Sequence, residues 1–479
     1  MNTRPIIVWF QRDLRLGDHA ALSAALKTKQ PIIPLYIWAT HQEAVPPLGA
    51  ASRWWLQQSL QSLEEDLKAL GSQLVKRAGP PADVLRDMIK TTKATGLYFQ
   101  SSVRPGSPAL ESELKALGNA LGVDVRRFRG ELLFAPGEVF SKTGTPYKVF
   151  TPFWNACLKA APPPAPLPPP KAINSPETFP KSEPLASWEL YQANPDWAAA
   201  FPAQWHPGEK GALTALTSFT KGPMKSYAVE RDRPGVNGTS RLSPHLQLGE
   251  VSVGTCWHHA KAHPDSAAFL RELGWREFCY HLLAHWPQLD DAPFRPEFKH
   301  FPWQPDDHKL KAWQQGQTGY PIIDAGMRQL WQTGWMHNRV RMIVGSFLVK
   351  NLLQPWQAGR DWFWDTLVDA DLANNSCGWQ WVAGCGADAA PYFRIFNPVT
   401  QSKKFDPKGA YIRRYIPELK DVPSPDIHDP SSAPKMVLEA AGVELGKTYP
   451  RAITDLALSR QAALDALNIM KTKINRKDQ

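Results

Sequence analysis

The sequence lacks the features that mark a secreted, disulfide-bonded or membrane-spanning chain. Five cysteines are scattered over 479 residues without a Cys-x-x-Cys pair, so neither a disulfide framework nor a zinc ribbon is indicated. No apolar run reaches the ~18 residues of a membrane span. The charged residues Arg12, Asp13 and Arg15 interrupt the N-terminus before a signal-like stretch could form. We therefore expect a cytoplasmic protein without a membrane partner.

The usual signatures of nucleotide binding and hydrolytic catalysis are absent as well. No G-x-G-x-x-G follows the first predicted strand and no G-x-x-x-x-G-K-[ST] occurs, which excludes the common backbone cradles for dinucleotides and triphosphates. No G-x-S-x-G nucleophile elbow occurs either. His281 and His285 stand one helical turn apart, as two zinc ligands would, but the H-E-x-x-H glutamate is missing and simple packing is the alternative. We expect no metal site.

What the chain does contain in excess is positive charge and tryptophan. A formal net charge of +10 favours a polyanionic partner such as nucleic acid, although a basic excess also aids solubility. The 20 tryptophans are several times the usual number, and more than half of them follow position 250. A region so rich in indole could be a bulky core, a stacking surface, a wall around a planar cofactor or an electron conduit.

The first part of the chain predicts an α/β domain with a parallel sheet. The chain is too long for one hydrophobic core, and short β-branched runs alternate with amphipathic stretches near its start. The predicted strands are Pro5–Phe10, Ile32–Trp38, Gln73–Arg77, Leu97–Gln100 and Val123–Phe128, five in all. The predicted helices are Ser52–Leu70, with Ser52 as its N-cap, Pro81–Ile89 and Ala109–Leu121.

A proline-rich segment separates this part from an all-helical one. Residues 161–170 read APPPAPLPPP, which favours extended polyproline and cannot join a helix or a central strand. The helices predicted beyond it are Ala268–Trp286, Gly326–Trp331, Arg339–Leu353 and Trp362–Leu367. We predict an α/β domain at residues 1–132, a connector at 133–205 and an all-α domain at 206–479.

The first candidate binding segment, residues 235–250, reads GVNGTSRLSPHLQLGE. The hydroxyl groups of Thr239, Ser240 and Ser243 surround Arg241 and precede a helix start near Ser243. This arrangement offers hydrogen-bond donors and the positive end of a helix dipole to a phosphate. The same residue types are also common as plain helix caps.

Two further segments concentrate polar residues in an otherwise apolar part of the chain. Asn338, Arg339 and Arg341 crowd one end of a helix, where they could contact phosphates and base edges or form a solvated end with ion pairs. Asp369, Asp371, Asn374 and Asn375 precede the triplet Trp379–Trp381. The pyrimidine edge of a flavin would satisfy such buried groups, and Arg341 could neutralise one aspartate. A divalent metal or acid–base chemistry is the alternative for the two carboxylates.

Seven motifs, in order, resemble the photolyase/cryptochrome family over nearly the whole chain. They are VWFQRDLRLGDHAAL at Val8–Leu22, YKVFTPFWNA at Tyr147–Ala156, GTSRLSPHL at Gly238–Leu246, LGWREF at Leu273–Phe278, GYPIIDAGMRQL at Gly319–Leu330, TGWMHNRVRM at Thr333–Met342, and DADLANN through RIFNP at 369–398. The resemblance implies an antenna domain, a connector and a helical domain that holds FAD. It also implies light-driven repair of cyclobutane pyrimidine dimers by one electron from excited, reduced FAD.

The resemblance assigns two sets of FAD contacts by motif match. The phosphate-side set is Tyr227, Thr239, Ser240, Arg241, Leu242 and Ser243. The ring-side set is Arg276, His337, Arg341, Asp369, Ala370, Asp371 and Asn375. Asn375 would lie beside the flavin N5 atom, and the pair of Arg341 with Asp369 would hold charge near the ring.

The resemblance also assigns a DNA pocket and an electron relay. A dimer flipped out of damaged single- or double-stranded DNA would meet a half-polar pocket. Its residues would be Glu272 on a thymine base, Trp275 and Trp381 as stacking walls, Asn338, Arg339 and Met342 as lining, and Arg231 with Arg339 on phosphates. The electron relay to the flavin would consist of Trp303, Trp356 and Trp379. We expect the protein to be a monomer.

Several alternatives within and outside the family stay open. Asn375, together with Glu272, Trp275, Met342 and Trp381, favours dimer repair over six-four photolyases, single-strand-preferring members and cryptochromes, which commonly carry Asp or Cys at the amide position. A nucleic-acid-binding protein without a cofactor is the alternative from another class.

A second, antenna chromophore of unknown identity is also expected to be possible. Folate is doubtful because Ser107 stands where the family's folate-binding members have a glutamate. Arg53 and Trp54 could serve a deazaflavin or flavin antenna, or could simply be helix surface.

Overall fold

The computed structural model describes residues 4–39, 46–191, 196–389 and 393–475, and these residues form two compact units. Unit 1 takes the described residues within Met1–Asp196, Pro202–Gly222 and Ser240–Pro287, and unit 2 takes those within Trp197–Phe201, Pro223–Thr239 and Gln288–Gln479. Each unit has its own hydrophobic core.

Unit 1 contains the predicted five-stranded parallel sheet. The strands are β1 (Ile6–Phe10), β2 (Ile32–Trp38), β3 (Val75–Ala78), β4 (Gly96–Gln100) and β5 (Asp124–Phe128), arranged in the order β3-β2-β1-β4-β5. Every residue of β1 is buried, as expected for a strand covered on both faces, whereas the edge strand β5 is mostly exposed and carries Arg126 and Arg127. The strand order reverses between β1 and β4, and such a point is where open parallel sheets bind ligands.

The helices of both units surround these strands in the chain order that follows. They are α1 (Ala20–Lys27), α2 (Ala50–Ala69), α3 (Pro81–Thr92), α4 (Ser107–Leu121), α5 (Phe150–Lys159), α6 (Glu209–Lys221), α7 (Tyr227–Glu230), α8 (Ser243–Gln247), α9 (Val253–Lys261), α10 (Ala267–His285), α11 (Asp307–Gln314), α12 (Pro321–Thr333), α13 (Asn338–Ser346), α14 (Trp356–Thr366), α15 (Leu372–Ala383), α16 (Pro398–Phe405), α17 (Ala410–Tyr415), α18 (Lys435–Ala440) and α19 (Leu456–Asn475). Helices α7 and α11–α19 belong to unit 2. Residues 161–170 join neither a helix nor a strand, as predicted.

The structure corrects several predicted helix boundaries. Ser52 is not the N-cap of α2, because the helix begins at Ala50 after Gly49 and Ser52 is buried within its first turn. The pattern at Gly326–Trp331 is the second half of α12, which starts at Pro321, and the pattern at Trp362–Leu367 is the second half of α14. Both helices begin next to a proline, a common start signal that periodicity alone does not register.

Unit 2 is built around aromatic side chains, so part of the tryptophan excess is core. Trp313, Tyr320, Phe347, Trp356 and Tyr411 are buried members of one hydrophobic cluster. Helix α13 continues into one turn of π-helix at Phe347–Asn351, all of it buried. None of the helices in the described part of the chain is long and apolar enough to span a membrane.

Candidate functional site

An arginine and an aspartate of unit 2 form a largely buried ion pair. Arg341, on α13, donates from Nη2 to both carboxylate oxygens of Asp369, at 3.1 and 2.8 Å. Its Nε donates to the carbonyl oxygen of Met336 at 2.7 Å, which fixes the orientation of the guanidinium. Asp369 is 8 % exposed and Ala370 beside it is buried. The pair expected from the sequence therefore exists, and it holds opposite charges at fixed positions.

Helix α15 begins with the residues that were predicted to face a flavin ring. Asp371 is its N-cap and accepts hydrogen bonds from the backbone N of Asn374 at 2.9 Å and from its Nδ2 at 2.6 Å. The Nδ2 of Asn375 donates to the carbonyl oxygen of Arg360 at 3.0 Å. Because the amide nitrogen is used in this way, Asn375 Oδ1 is the atom suited to accept a hydrogen bond from a ring N–H.

His337 caps α13 and keeps one ring nitrogen without a partner. Its Nδ1 accepts a hydrogen bond from the backbone N of Arg339 at 3.2 Å, so the neutral ring carries its proton on Nε2. Burial lowers the pKa of His337 to about 4, which keeps the ring neutral near neutral pH. Nε2 is buried and has no hydrogen-bond partner among the described residues. A buried donor in this state fits a site that a ligand with acceptor atoms completes.

The predicted phosphate-side residues lie in two stretches, one in each unit. In unit 2, Tyr227 is buried at the start of α7, and the guanidinium of Arg231 lies 5.6 Å from the centre of its ring; Thr239 is half-buried. In unit 1, α8 begins at Ser243 as expected, and Leu242 before it is buried.

The remaining phosphate-side residues are Ser240 and Arg241, both half-buried. Arg241 has a φ of 53°, which is uncommon for a residue other than glycine, and its guanidinium lies 4.1 Å from the ring centre of Trp205. Such local strain is typical of segments that approach a ligand.

The three predicted relay tryptophans of unit 2 differ in exposure. Trp379 and Trp356 are 3 % and 2 % exposed, whereas Trp303 is half-buried and packs against Phe301. Trp379 lies on α15 against Gly359 of α14, where a Cβ atom would stand 2.1 Å from its ring. The graded burial suits a path that leads from an interior position toward solvent.

Helix α13 also carries the predicted DNA contacts of unit 2. Asn338 is exposed, and Arg339 and Met342 are half-buried one turn apart. Arg339 forms an ion pair with Asp232 at 2.7 Å, a partner that sequence patterns did not indicate. Trp381, at the end of α15, is half-buried and lines a small cavity with Lys350 and Arg394.

The predicted contacts of unit 1 lie on α10. Glu272 and Trp275 are half-buried, and one face of the Trp275 indole stacks on Phe150 with ring centres 3.7 Å apart. Arg276 donates from Nη1 to the carbonyl oxygen of Glu131 at 2.9 Å, and its guanidinium lies 4.7 Å from the ring centre of Tyr280. The sequence-based roles of these three residues stay predictions.

A buried glutamate on α10 was not singled out from the sequence. Glu277 accepts hydrogen bonds from the backbone N of Leu133 at 2.8 Å and of Phe134 at 3.1 Å, and burial raises its pKa to about 7. His281, one turn further on, packs between the rings of Phe153 and Phe278. Its ring contact with His285 is edge-on, and the described residues contain no group of three or more metal-ligating side chains.

The carboxyl edge of the sheet in unit 1 borders a cavity of about 230 Å³. The lining includes Ser101 after β4 and Arg129, Glu131 and Glu138 after β5. Ser107 is the first residue of α4. Trp54 is buried in α2, so it is not helix surface.

A glutamine that the sequence did not reveal orients the start of α13. The Oε1 of Gln329 accepts hydrogen bonds from the backbone N of His337 at 3.2 Å and from the hydroxyl of Tyr411 at 2.7 Å. Its Nε2 donates to the hydroxyl of Tyr415 at 3.2 Å. A glutamine in an amphipathic helix gives no local signal of such a role, because its partners are distant in sequence.

A parallel α/β sheet, a helical unit with an unsatisfied buried donor, and fixed charges beside an oriented amide together define a class of flavin-binding proteins. Consistent with that class, residues 6–171 match the family described as "DNA photolyase", and residues 269–469 match the family described as "FAD binding domain of DNA photolyase". The chain belongs to the photolyase/cryptochrome family, and FAD is its cofactor.

Individual relatives cover almost the full length of the chain. The deoxyribodipyrimidine photo-lyase of Agrobacterium fabrum is 48% identical over 98% of this chain and 99% of its own. Cryptochrome-1 of Arabidopsis thaliana is 40% identical over 97% of this chain and 70% of its own. The crystal structure of a bacterial class III photolyase from Agrobacterium tumefaciens superposes with a TM-score of 0.95 at 48% identity, covering 98% of both chains.

Proposed function

We propose that the protein uses light to repair cyclobutane pyrimidine dimers in DNA, with reduced FAD as the electron donor. The observation that carries the proposal is the start of α13. There His337, with its unsatisfied Nε2, and Arg341, paired with Asp369, share one helix with the candidate DNA contacts Asn338, Arg339 and Met342. A single rigid element would thus hold the cofactor and the lesion next to each other.

The ring-side residues of unit 2 would bind the cofactor and control its charge. When bound, reduced FAD supplies the light-driven electron that splits the cyclobutane ring. Asn375 Oδ1 would hold the N5–H edge of the ring, because Nδ2 of the same amide is anchored to Arg360. Arg341 would stabilise negative charge nearby, while Asp369 keeps the guanidinium in place.

The lesion would be recognised outside the duplex. Dimers pair and stack poorly, which lowers the cost of flipping them into a pocket. Trp381 and Trp275 would provide stacking faces, Glu272 would accept a hydrogen bond from a thymine base, and Arg231 and Arg339 would contact phosphates. The net charge of +10 supports DNA as the partner and implies binding that weakens with salt.

The test is light-dependent repair by the purified holoprotein. Blue light should remove dimers from a dimer-containing oligonucleotide once the flavin is reduced chemically, and darkness should not. A Trp379→Phe variant should slow photoreduction of oxidised flavin while repair with chemically reduced flavin persists. Absence of dimer repair by a protein that holds fully reduced FAD would refute the proposal.

A second candidate is a light-signalling flavoprotein of the cryptochrome type. The 40% identity with Cryptochrome-1 of Arabidopsis thaliana favours it, whereas Asn375, in place of the Asp or Cys common in cryptochromes, favours repair. Reversible photoreduction without repair of either dimers or six-four lesions would select this candidate.

An antenna chromophore at the carboxyl edge of the sheet is a further part of the proposal. The cavity of about 230 Å³ and the buried donors Trp9 Nε1 and Gln100 Nε2, which have no partner among the described residues, support it. An absorption band besides that of FAD in the purified protein would identify the chromophore. We further propose that the protein works as a cytoplasmic monomer, which sedimentation and cell fractionation would test.

A further inference from the structure

The guanidinium of Arg339 is already bound to an anion of the protein itself. Its Nε and Nη2 donate to Oδ1 of Asp232 at 3.2 and 2.7 Å. The guanidinium carbon lies 4.4 Å from the ring centre of Phe405, and Nη1 lies 3.6 Å from the sulfur of Met342. A carboxylate, an aromatic ring and a thioether therefore surround the group.

From this arrangement we infer that Asp232 is an internal counter-anion of Arg339, which a DNA phosphate replaces on binding. Asp232 thereby limits the affinity of the protein for DNA of any sequence. The inference rests on the proposed function, because it takes Arg339 as a phosphate contact. Asp232 acts through Arg339 and does not itself touch DNA, so it is a positioning residue.

Competition follows from the geometry of the arginine fork. A carboxylate and a phosphate both seek the same pair of parallel N–H donors, and two anions on one fork repel each other. The side chains of Asp232 and Arg339 are 36 % and 20 % exposed, so the pair is accessible to exchange. Such partly exposed pairs contribute little stability, which makes the exchange feasible.

Phe405 and Met342 explain why Arg339 would stay in place after the exchange. The ring and the thioether contact the guanidinium without forming an ion pair, so they do not compete with phosphate. When Asp232 leaves, these two contacts still orient the group. The same arginine can therefore be neutralised in the free protein and remain ordered in the complex.

The inference predicts a specific change in the salt dependence of DNA binding. In the wild-type protein Asp232 already neutralises Arg339, so contact with a phosphate releases fewer counterions than a free arginine would. In Asp232→Asn the arginine is uncompensated. The slope of log K against log salt should steepen by roughly 0.9, the value for one additional phosphate contact.

The experiment measures binding of holoprotein to an undamaged duplex by fluorescence anisotropy at several salt concentrations. Asp232→Asn should bind about threefold to fivefold more tightly at low salt, as expected for loss of one partly exposed ion pair. Asp232→Glu should restore wild-type behaviour, and Asp232→Ser provides a second neutral variant. Glu439→Gln is the matched control, since it changes net charge equally but removes an exposed partner of Lys435 on α18.

Arg339→Ala separates this inference from the proposed function. If Arg339→Ala binds DNA as the wild type does, the assignment of Arg339 to a phosphate fails, and the inference fails with it. If Arg339→Ala weakens binding, Asp232→Asn should have no effect in that background beyond the control. Weaker binding by the Asp232 variants with Arg339 present, or a change equal to that of Glu439→Gln, overturns the inference alone.

Discussion

Two buried histidines, one in each unit, differ in how the structure satisfies them. In unit 1, His245 forms a hydrogen bond of 2.5 Å with Glu250, which also accepts from the indole N–H of Trp55 at 3.0 Å and the backbone N of Gly208 at 2.7 Å. In unit 2, Nε2 of His337 has no partner among the described residues. A buried polar cluster that satisfies itself belongs to the fold, whereas an unsatisfied buried donor indicates where a ligand completes the bonding.

The largest expected effect is on the self-satisfied cluster. Glu250→Ala should lower the free energy of unfolding by about 3 to 5 kcal/mol, because several donors lose a fully buried acceptor at once. Urea unfolding of the variant and of the exposed control Glu439→Gln would measure the difference. A loss no greater than that of the control would remove the structural half of the comparison.

The unsatisfied histidine should give the opposite result. His337→Asn keeps an acceptor for the cap of α13 but deletes the Nε2 donor, so the FAD-free protein should change in stability by less than about 1 kcal/mol. Affinity for FAD should fall by up to about tenfold, the effect of one lost hydrogen bond. Titration of FAD-free protein with FAD checks this. Unchanged affinity would mean that His337 does not contact the cofactor.

Acid should expose the same difference between the two histidines. The folded-state pKa of His337 is about 4, below its unfolded value of 6.5, so its neutral form stabilises the fold above pH 6.5. That contribution is lost as the pH falls toward 4, because the unfolded chain takes up the proton first.

Unfolding measured between pH 6.5 and 4 provides the comparison. The wild-type free energy should fall up to about 1.4 kcal/mol per pH unit more steeply than that of His337→Asn. His281, whose pKa burial also lowers to about 4, adds a slope of the same sign to both proteins. Parallel curves for the two proteins would contradict the lowered pKa of His337.

The smallest expected effect concerns Ser376 on α15. Its hydroxyl is buried and has no hydrogen-bond partner among the described residues. Ser376→Ala should therefore leave the FAD-free protein unchanged or stabilise it by up to about 1 kcal/mol. Thermal unfolding with and without FAD would sharpen the comparison. A variant that loses stability without FAD would show that the hydroxyl is satisfied within the fold.

Local patterns predicted the sheet well and the site in part. The five strands were located to within two residues because continuous β-branched runs bounded by turn residues are a local signal. The pair of Arg341 with Asp369 was expected from the motifs and is present. The cap at Ser52 was wrong, because the helix extends two residues further toward its N-terminus.

The contacts that sequence patterns missed join distant parts of the chain. Asp232 and Arg339 are separated by 107 positions, and Gln329 and Tyr411 by 82. No periodicity links such pairs, since they meet only when helices pack. The predicted domain boundaries and the roles of the DNA and relay residues stay predictions.

The close contact of Gly359 with Trp379 has a consequence for how this protein can vary. Any side chain at position 359 would collide with the indole, so α14 and α15 can keep their separation only while the glycine remains. The indole therefore acts as a spacer between two helices as well as a candidate electron carrier. Evolution could change one role only by changing the other, and a replacement at position 359 would need a smaller ring at 379 to compensate.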